Sequence, residues 1–251
     1  MEPTDRLSVA VGGYANSLGL DGRFDGSADV TGTRYDFSEG FSLDDRRQLA
    51  LLAVEWNPWQ RHQLHLVAFE DRRERTATIE HELDFRDVTF PLAAEVNGRF
   101  EVRAVDVGYT WWAHHGERTA FGVGLGVLDY RARLRLRGIL RRGGEDEPLA
   151  EGVAVATDRL RAPVLSLSGR WVATDRLRFR ADASALQIGW DGIDGEIHAF
   201  RLAAEYYPWE RLGFSLGYNF TELRAESQRA ELRGRLRLEF SGVQALARVR
   251  F

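Results

Sequence analysis

Hydrophobic residues fall on alternate positions along most of the chain. Leu7, Val9 and Val11 alternate with Ser8, Ala10 and Gly12, and Phe121, Val123, Leu125 and Val127 alternate with Ala120, Gly122, Gly124 and Gly126. Downstream, Leu177, Phe179, Ala181 and Ala183 alternate with Arg178, Arg180, Asp182 and Ser184, while Phe200, Leu202, Ala204 and Tyr206 alternate with Ala199, Arg201, Ala203 and Glu205. Leu212 to Phe220 repeats the pattern against Gly213, Ser215, Gly217 and Asn219. A period of two predicts strands with one apolar face and one small or charged face. Two environments fit such strands: a soluble sheet with an apolar core, or a membrane barrel with its apolar side turned outward.

Aromatic placement separates the two. Trp56 and Trp59 flank Asn57-Pro58, and Trp111 and Trp112 precede His114-His115-Gly116. Trp171 precedes Ala173-Thr174-Asp175, and Tyr206, Tyr207 and Trp209 surround Pro208. Each cluster closes a strand before a short polar turn, whereas longer polar segments, such as Asn16 to Arg46 and Ile139 to Asp158, occupy the alternate connections. Short turns and aromatic residues at one end, with long loops at the other, predict an outer-membrane barrel with a periplasmic aromatic girdle. A soluble lipocalin-like barrel has no reason to place tryptophan beside successive turns on one side.

Four short turns, near Asn57 to His62, His114 to Arg118, Ala173 to Arg176 and Pro208 to Arg211, join eight strands, and one more lies at each terminus. The expectation is an all-β, antiparallel, up-and-down transmembrane β-barrel of about ten strands, formed by residues 1–251 as a single domain. Twelve strands is the main alternative, because Gly22 to Leu43 and Arg75 to Phe100 are hard to parse; eight is the smaller one.

The 251 residues are 44% hydrophobic, too many for general disorder, and carry a formal charge of −4, which gives no support to nucleic-acid binding. Without cysteine the chain has neither disulfides nor a thiolate zinc site. All 34 basic residues are arginine, spread without a basic tail, which reads as a composition bias. No stretch approaches the roughly 20 apolar residues of a membrane-spanning helix. The start, Met1-Glu-Pro-Thr-Asp5, shows no basic segment followed by an apolar core, so the expectation is either that a signal was removed and Met1 added or that the protein is not exported.

The last residues, Val243-Gln-Ala-Leu-Ala-Arg-Val-Arg-Phe251, place Phe251, Val249, Ala247, Ala245 and Val243 on one face. An alternating final strand ending in an aromatic residue resembles the signal by which the bacterial barrel-assembly machinery recognises its substrates. Phe214-Ser-Leu-Gly-Tyr-Asn-Phe220 followed by Phe240-Ser-Gly242, and more loosely Gly32-Thr-Arg-Tyr-Asp-Phe-Ser-Glu-Gly-Phe-Ser-Leu-Asp44, resemble a group of uncharacterised proteobacterial outer-membrane β-barrel proteins. The resemblance implies fold and location, and it carries no activity.

On the barrel reading Arg178, Arg180, Asp182, Arg201, Glu205, Arg248 and Arg250 face inward, with Asp106 and Glu55 nearby, so opposite charges pair across neighbouring strands. The expected outcome is a polar plug that fills a narrow lumen in a structural or surface protein. A small anion-favouring channel is the alternative. A third reading is an extracellular-rim hydrolase, drawn from His198 beside Glu196 with Asp191 and Asp194 in the adjacent loop. Omptin proteases combine rim carboxylates with histidine, but no further omptin motif is present, and the chain is read as a non-enzyme without cofactor or metal site. His114-His115 has no third ligand in view, and Gly122-Val-Gly-Leu-Gly126 reads as small inward residues of a strand.

Two features point to lipid. Arg131, Arg133, Arg135 and Arg137 continue the register of Phe121, Val123 and Val127, so without a bulge near Gly126 or Asp129 they face outward above the apolar band. At that height they meet lipopolysaccharide phosphates. Asn16 to Arg46 holds seven carboxylates against three arginines and is read as a solvated loop, or as a cation bridge to lipopolysaccharide. The expected partners are outer-membrane lipid, lipopolysaccharide and the assembly machinery, with the barrel itself a monomer.

Overall fold

The computed structural model describes residues 1–25, 35–36, 47–78, 83–85, 88–90, 95–141, 148–190, 193–229 and 232–251. They form a closed antiparallel barrel of ten strands with no helix. The wall strands are β1 (Leu7–Asp25), β2 (Arg47–Trp59), β3 (His62–Thr78), β4 (Glu95–His115) and β5 (Thr119–Arg141), followed by β6 (Pro148–Thr174), β7 (Leu177–Trp190), β8 (Ile193–Tyr206), β9 (Leu212–Arg229) and β10 (Leu232–Arg250). Each pairs with its sequence neighbours, and β10 pairs with β1 from Ser8↔Arg250 to Asp25↔Arg233, which closes the wall. Closure leaves no long free edge, so the backbone hydrogen bonds are made within the sheet.

The short turns fall where the aromatic clusters predicted them, at Trp59–His62, His115–Thr119, Thr174–Leu177 and Tyr206–Leu212. Gly22 to Leu43 and Arg75 to Phe100 add no further wall strand among the described residues. Tyr35–Asp36 pairs only with Asp21 and Gly22 of β1, and Leu83–Phe85 pairs with Val88–Phe90 in a separate hairpin. Most of the acidic loop and of the Gly32–Asp44 resemblance, together with Asp191, lies outside the described residues.

Alternation sets the two faces. Phe121, Val123, Leu125 and Val127 of β5, Leu165 and Leu167 of β6, and Phe214 and Leu216 of β9 are exposed on the outside. Their neighbours in sequence point inward. There the glycines of β5 are small for a reason: a Cβ at Gly122 would lie 2.9 Å from the ring of Trp112, and one at Gly213 of β9 would lie 2.5 Å from the ring of Tyr207. These two rings correct the girdle expectation. Trp111, Tyr206 and Trp209 are exposed on the outside, whereas Trp112 and Tyr207 are buried in the lumen. For Trp111 and Trp112 the cause is the two-residue period itself, since adjacent residues on a strand cannot share a face.

The interior is layered. Toward the long-loop end it is mostly apolar around one buried ion pair, Asp71–Arg73, and Phe69 meets Tyr14, Tyr130 and Phe240 edge-on at ring separations of 6.3, 6.5 and 6.0 Å. Phe100, Leu134, Leu136 and Leu238 are buried with them. Toward the short-turn end it is charged.

Candidate functional site: the lumen plug and the outer arginine belt

Cross-strand register brings the lumen charges together at the short-turn end. Arg178 stands opposite Glu205 on β7 and β8, Arg180 stands opposite Arg170 on β7 and β6, and Ser8 on β1 lies between Arg250 and Glu55. Arg178 donates from Nε to Glu205 Oε2 at 2.8 Å and from Nη2 to Asp5 Oδ2 at 2.6 Å. Arg180 reaches Glu55 Oε1 at 2.7 Å, Glu205 Oε1 at 3.2 Å and Asp182 Oδ2 at 3.3 Å. Arg248 donates to Ser8 Oγ at 2.7 Å and Glu55 Oε2 at 3.1 Å, and its Nε lies 3.4 Å from Glu205 Oε1. Glu205 thus faces three guanidinium groups. Desolvated charges persist in such a place only when each is paired and hydrogen-bonded.

Three contributors to the plug carry no signal in the strand period that would single them out. Arg170 donates to Asp182 Oδ1 at 2.8 Å and stacks over the Trp112 ring at 5.3 Å, so Asp182 bridges the like-charged pair Arg170 and Arg180. Asp5 belongs to a segment before β1 that crosses the mouth. Arg178 Nη1 donates to the carbonyls of Glu2 and Pro3, the Asn57 N–H donates to the Arg6 carbonyl, and Thr4 Oγ1 lies 2.9 Å from His115 Nε2. Tyr207 donates to Asp5 and carries Arg250 over its ring at 4.2 Å. Arg250 itself reaches Asp5 Oδ1 at 3.4 Å and so sits at the mouth, at the edge of the plug.

Arg201 departs from the expected network. It stands opposite Asp182 in register, yet no carboxylate lies within ion-pair distance of it among the described residues, and its buried Nε has no hydrogen-bond partner. It lines a cavity of about 100 Å³ between the plug and the aromatic layer, together with Ser166, Ser168, Thr110, Asn219 and Asp106. Asp106 Oδ1 faces His65 Nε2 there at 3.5 Å. Higher up, the run Glu70-Asp-Arg-Arg-Glu74 is split by the strand period. Asp71 and Arg73 pair inside at 2.9 Å, and Glu70 and Arg72 pair outside at 2.6 Å.

On the outer wall the register of β5 runs from Thr119 to Leu140 against β6 with no bulge at Gly126 or Asp129. Arg131, Arg133, Arg135 and Arg137 are accordingly exposed on the face that carries Phe121 to Val127. Asp129 at their foot accepts from Arg159 Nε at 2.8 Å and from a second nitrogen of the same side chain. It also lies 3.4 Å from Arg161 and 3.8 Å from Arg131. The Arg159 hydrogen bond is the largest influence holding the Asp129 carboxyl down to about 2. A cleft of about 160 Å³ lies above, lined by Arg99, Glu101, Arg133 and Arg135.

His198 and Glu196 meet at 2.7 Å, exposed on the outer wall of β8, and the second Glu196 oxygen lies 3.5 Å from Arg224. Among the described residues no three His, Asp or Glu side chains converge as metal ligands. Phe251 points outward, and its N–H donates to the Leu7 carbonyl at 2.8 Å, completing the β10–β1 seam.

No family pattern and no curated protein matches the chain. Among solved structures, the outer membrane protease OmpT from Escherichia coli is similar with a TM-score of 0.61 at 11% identity, covering 99% of this chain and 97% of that one. A Pseudomonas aeruginosa FadL homologue follows at 0.38 and 9% identity, covering 98% of this chain and 91% of that one. The attachment invasion locus protein Ail of Yersinia pestis, in complex with the heparin analogue sucrose octasulfate, gives 0.37 and 10% identity, covering 98% and 99%. The likeness to OmpT is one of fold alone, that of a closed antiparallel β-barrel.

Proposed function

We propose that the chain is an integral outer-membrane β-barrel of a Gram-negative bacterium, acting as a monomeric structural or surface protein with a sealed lumen. The observation that carries this reading is the inversion of polarity. Large apolar side chains lie exposed around the outside, while arginine and glutamate are buried inside. In water that outer belt would expose far more contiguous apolar surface than soluble monomers show, and in a bilayer it is matched by lipid. Trp111, Trp171, Tyr206 and Trp209 then mark the periplasmic interface, and the arginine belt lies at the outer leaflet.

A sealed lumen is favoured over an anion channel because the plug below and the aromatic layer above leave a cavity of only about 100 Å³. A rim hydrolase gains no support from the His198–Glu196 pair, which sits on the outer wall with Glu196 also engaged by Arg224. OmpT is a protease by name, and nothing of its chemistry follows from a shared fold. Phe251 is proposed as part of the signal read by the assembly machinery. Its deletion should lower outer-membrane yield in cells more than refolding in detergent.

The membrane reading is tested by purification. The protein should partition into the outer-membrane fraction, require detergent, and migrate differently on a gel with and without boiling. A monodisperse monomer in detergent-free buffer would refute it.

A further inference from the structure

Three arginines stand in one row on the outer wall. Register places Arg103 of β4 directly opposite Arg131 of β5, and Arg131 directly opposite Arg159 of β6. Like charges directly opposite across a sheet repel one another. Two carboxylates answer them. Glu70 lies 3.2 Å from Arg103, and Asp129 serves Arg159, Arg161 and Arg131 together. Among the described residues the patch therefore sets four guanidinium groups against two carboxylates, with Glu70 further shared with Arg72.

The height of the row is set by its neighbours. One step toward the apolar band, Val105 pairs with Asp129, and beyond it Val107 pairs with Val127, all three valines being exposed on the outside. The row is thus among the first polar positions above the apolar surface. At the same level on the far wall the register runs His198, Glu222, Glu239, and Glu222 is held by Arg224 and Arg237 at 2.8 Å each. Among the described residues the carboxylates of this β8–β10 register are each met by arginine or histidine, and the surplus of guanidinium groups lies on the β4–β6 side.

We infer that Arg103, Arg131, Arg159 and Arg161 form a binding site for a phosphorylated glycolipid headgroup of the outer leaflet, the phosphates of lipid A. A phosphomonoester placed on the row supplies the missing negative charge and can take two parallel N–H donors from a guanidinium. The acyl chains of the same molecule then lie against Val105, Val127 and Leu165, so one ligand satisfies both the charge and the apolar surface. This inference rests on the membrane reading above.

The test uses the full-length protein in nanodiscs of zwitterionic phospholipid, loaded with bisphosphorylated lipid A, with dephosphorylated lipid A, or with inorganic phosphate added to the buffer. Arg103→Gln/Arg131→Gln/Arg159→Gln is compared with a control triple, Arg224→Gln/Arg235→Gln/Arg237→Gln, on the opposite wall. A gel shift without boiling verifies that each variant is folded. A Lys triple at the first three positions keeps charge and removes the planar fork. Expected are at least tenfold weaker retention of bisphosphorylated lipid A by the Gln triple, a smaller loss for the Lys triple, no change for the control, and weakening with salt. Millimolar inorganic phosphate should compete poorly, since it lacks the acyl contact. Equal retention by the parent and the Gln triple, equal retention of dephosphorylated lipid A, or full competition by inorganic phosphate would overturn the headgroup site. Failure of the parent to enter nanodiscs would instead overturn the membrane reading.

Discussion

Arginine is used in two opposite ways in this barrel. In the lumen, Arg178 and Arg180 expose 3% and 7% of their side chains, and each meets at least two carboxylates. On the outer wall, Arg131 and Arg103 expose 55% and 60%, and the carboxylates near them are shared. Both places set like charges opposite each other across a strand pair, Arg170 with Arg180 inside and Arg103 with Arg131 outside. Inside, Asp182 bridges the pair; outside, among the described residues, the nearest carboxylate to Arg131 is 3.8 Å away and already holds Arg159. Within the plug each buried charge is matched, whereas Arg201 beside the cavity and the arginines of the exposed wall are held less completely.

The contrast predicts a steep difference in sensitivity. Glu205→Ala should have the largest effect, because it strips a carboxylate from three buried guanidinium groups. Breaking a buried charge network from one side costs on the order of 3 to 5 kcal/mol. Denaturant unfolding in detergent, followed by loss of the unboiled gel band, measures it. A midpoint within error of the parent would mean that the plug does not hold the barrel together.

Arg180→Ala and Arg201→Ala should separate. Arg180→Ala leaves Glu55 and Asp182 short of a partner and should cost about 3 kcal/mol. Arg201→Ala breaks no ion pair and should cost less than about 1 kcal/mol, since it faces a cavity that admits water. The double variant should then resemble Arg180→Ala alone. Equal losses for the two single variants would place Arg201 in the network after all.

These residues also show what the sequence disclosed and what it could not. Alternation alone put Arg178, Arg180, Asp182, Glu205 and Arg248 inside and Arg131 to Arg137 outside, because strand geometry ties facing to position parity. Parity is silent about height and partner. Arg201 shares the inward face of β8 with Glu205 but stands four residues higher, beyond the plug. Asp5 carries no such signal, because it precedes β1 and no period acts on it. Trp111 and Trp112 looked like one girdle cluster, although their adjacency already required one of them to point inward.

Asp5 offers an intermediate case, buried but at the mouth. Asp5→Ala removes a partner from Arg178 and Arg250 while Arg178 keeps Glu205, so a loss of about 1 to 3 kcal/mol is expected by the same unfolding assay. A loss as large as that for Glu205→Ala would make the N-terminal crossing an integral part of the plug.

The smallest effect belongs outside. Asp129→Asn breaks an exposed cluster and should shift stability by less than about 1 kcal/mol. Its carboxyl is held down by Arg159, so any contribution is present above the ordinary aspartate range and is lost as pH falls through about 2. Parent and variant should therefore keep a constant difference between pH 5 and 8 and converge only in strong acid. A difference that opens or closes near neutrality would assign the stabilisation to another group.

Single-channel recording in a planar bilayer tests the sealed lumen most directly. With the plug and the aromatic layer both in place, the inserted parent protein should give no stepwise current in either chloride or large-anion salts. Discrete, reproducible conductance steps from the parent, with anions carrying the current, would contradict the sealed barrel and establish the channel in its place.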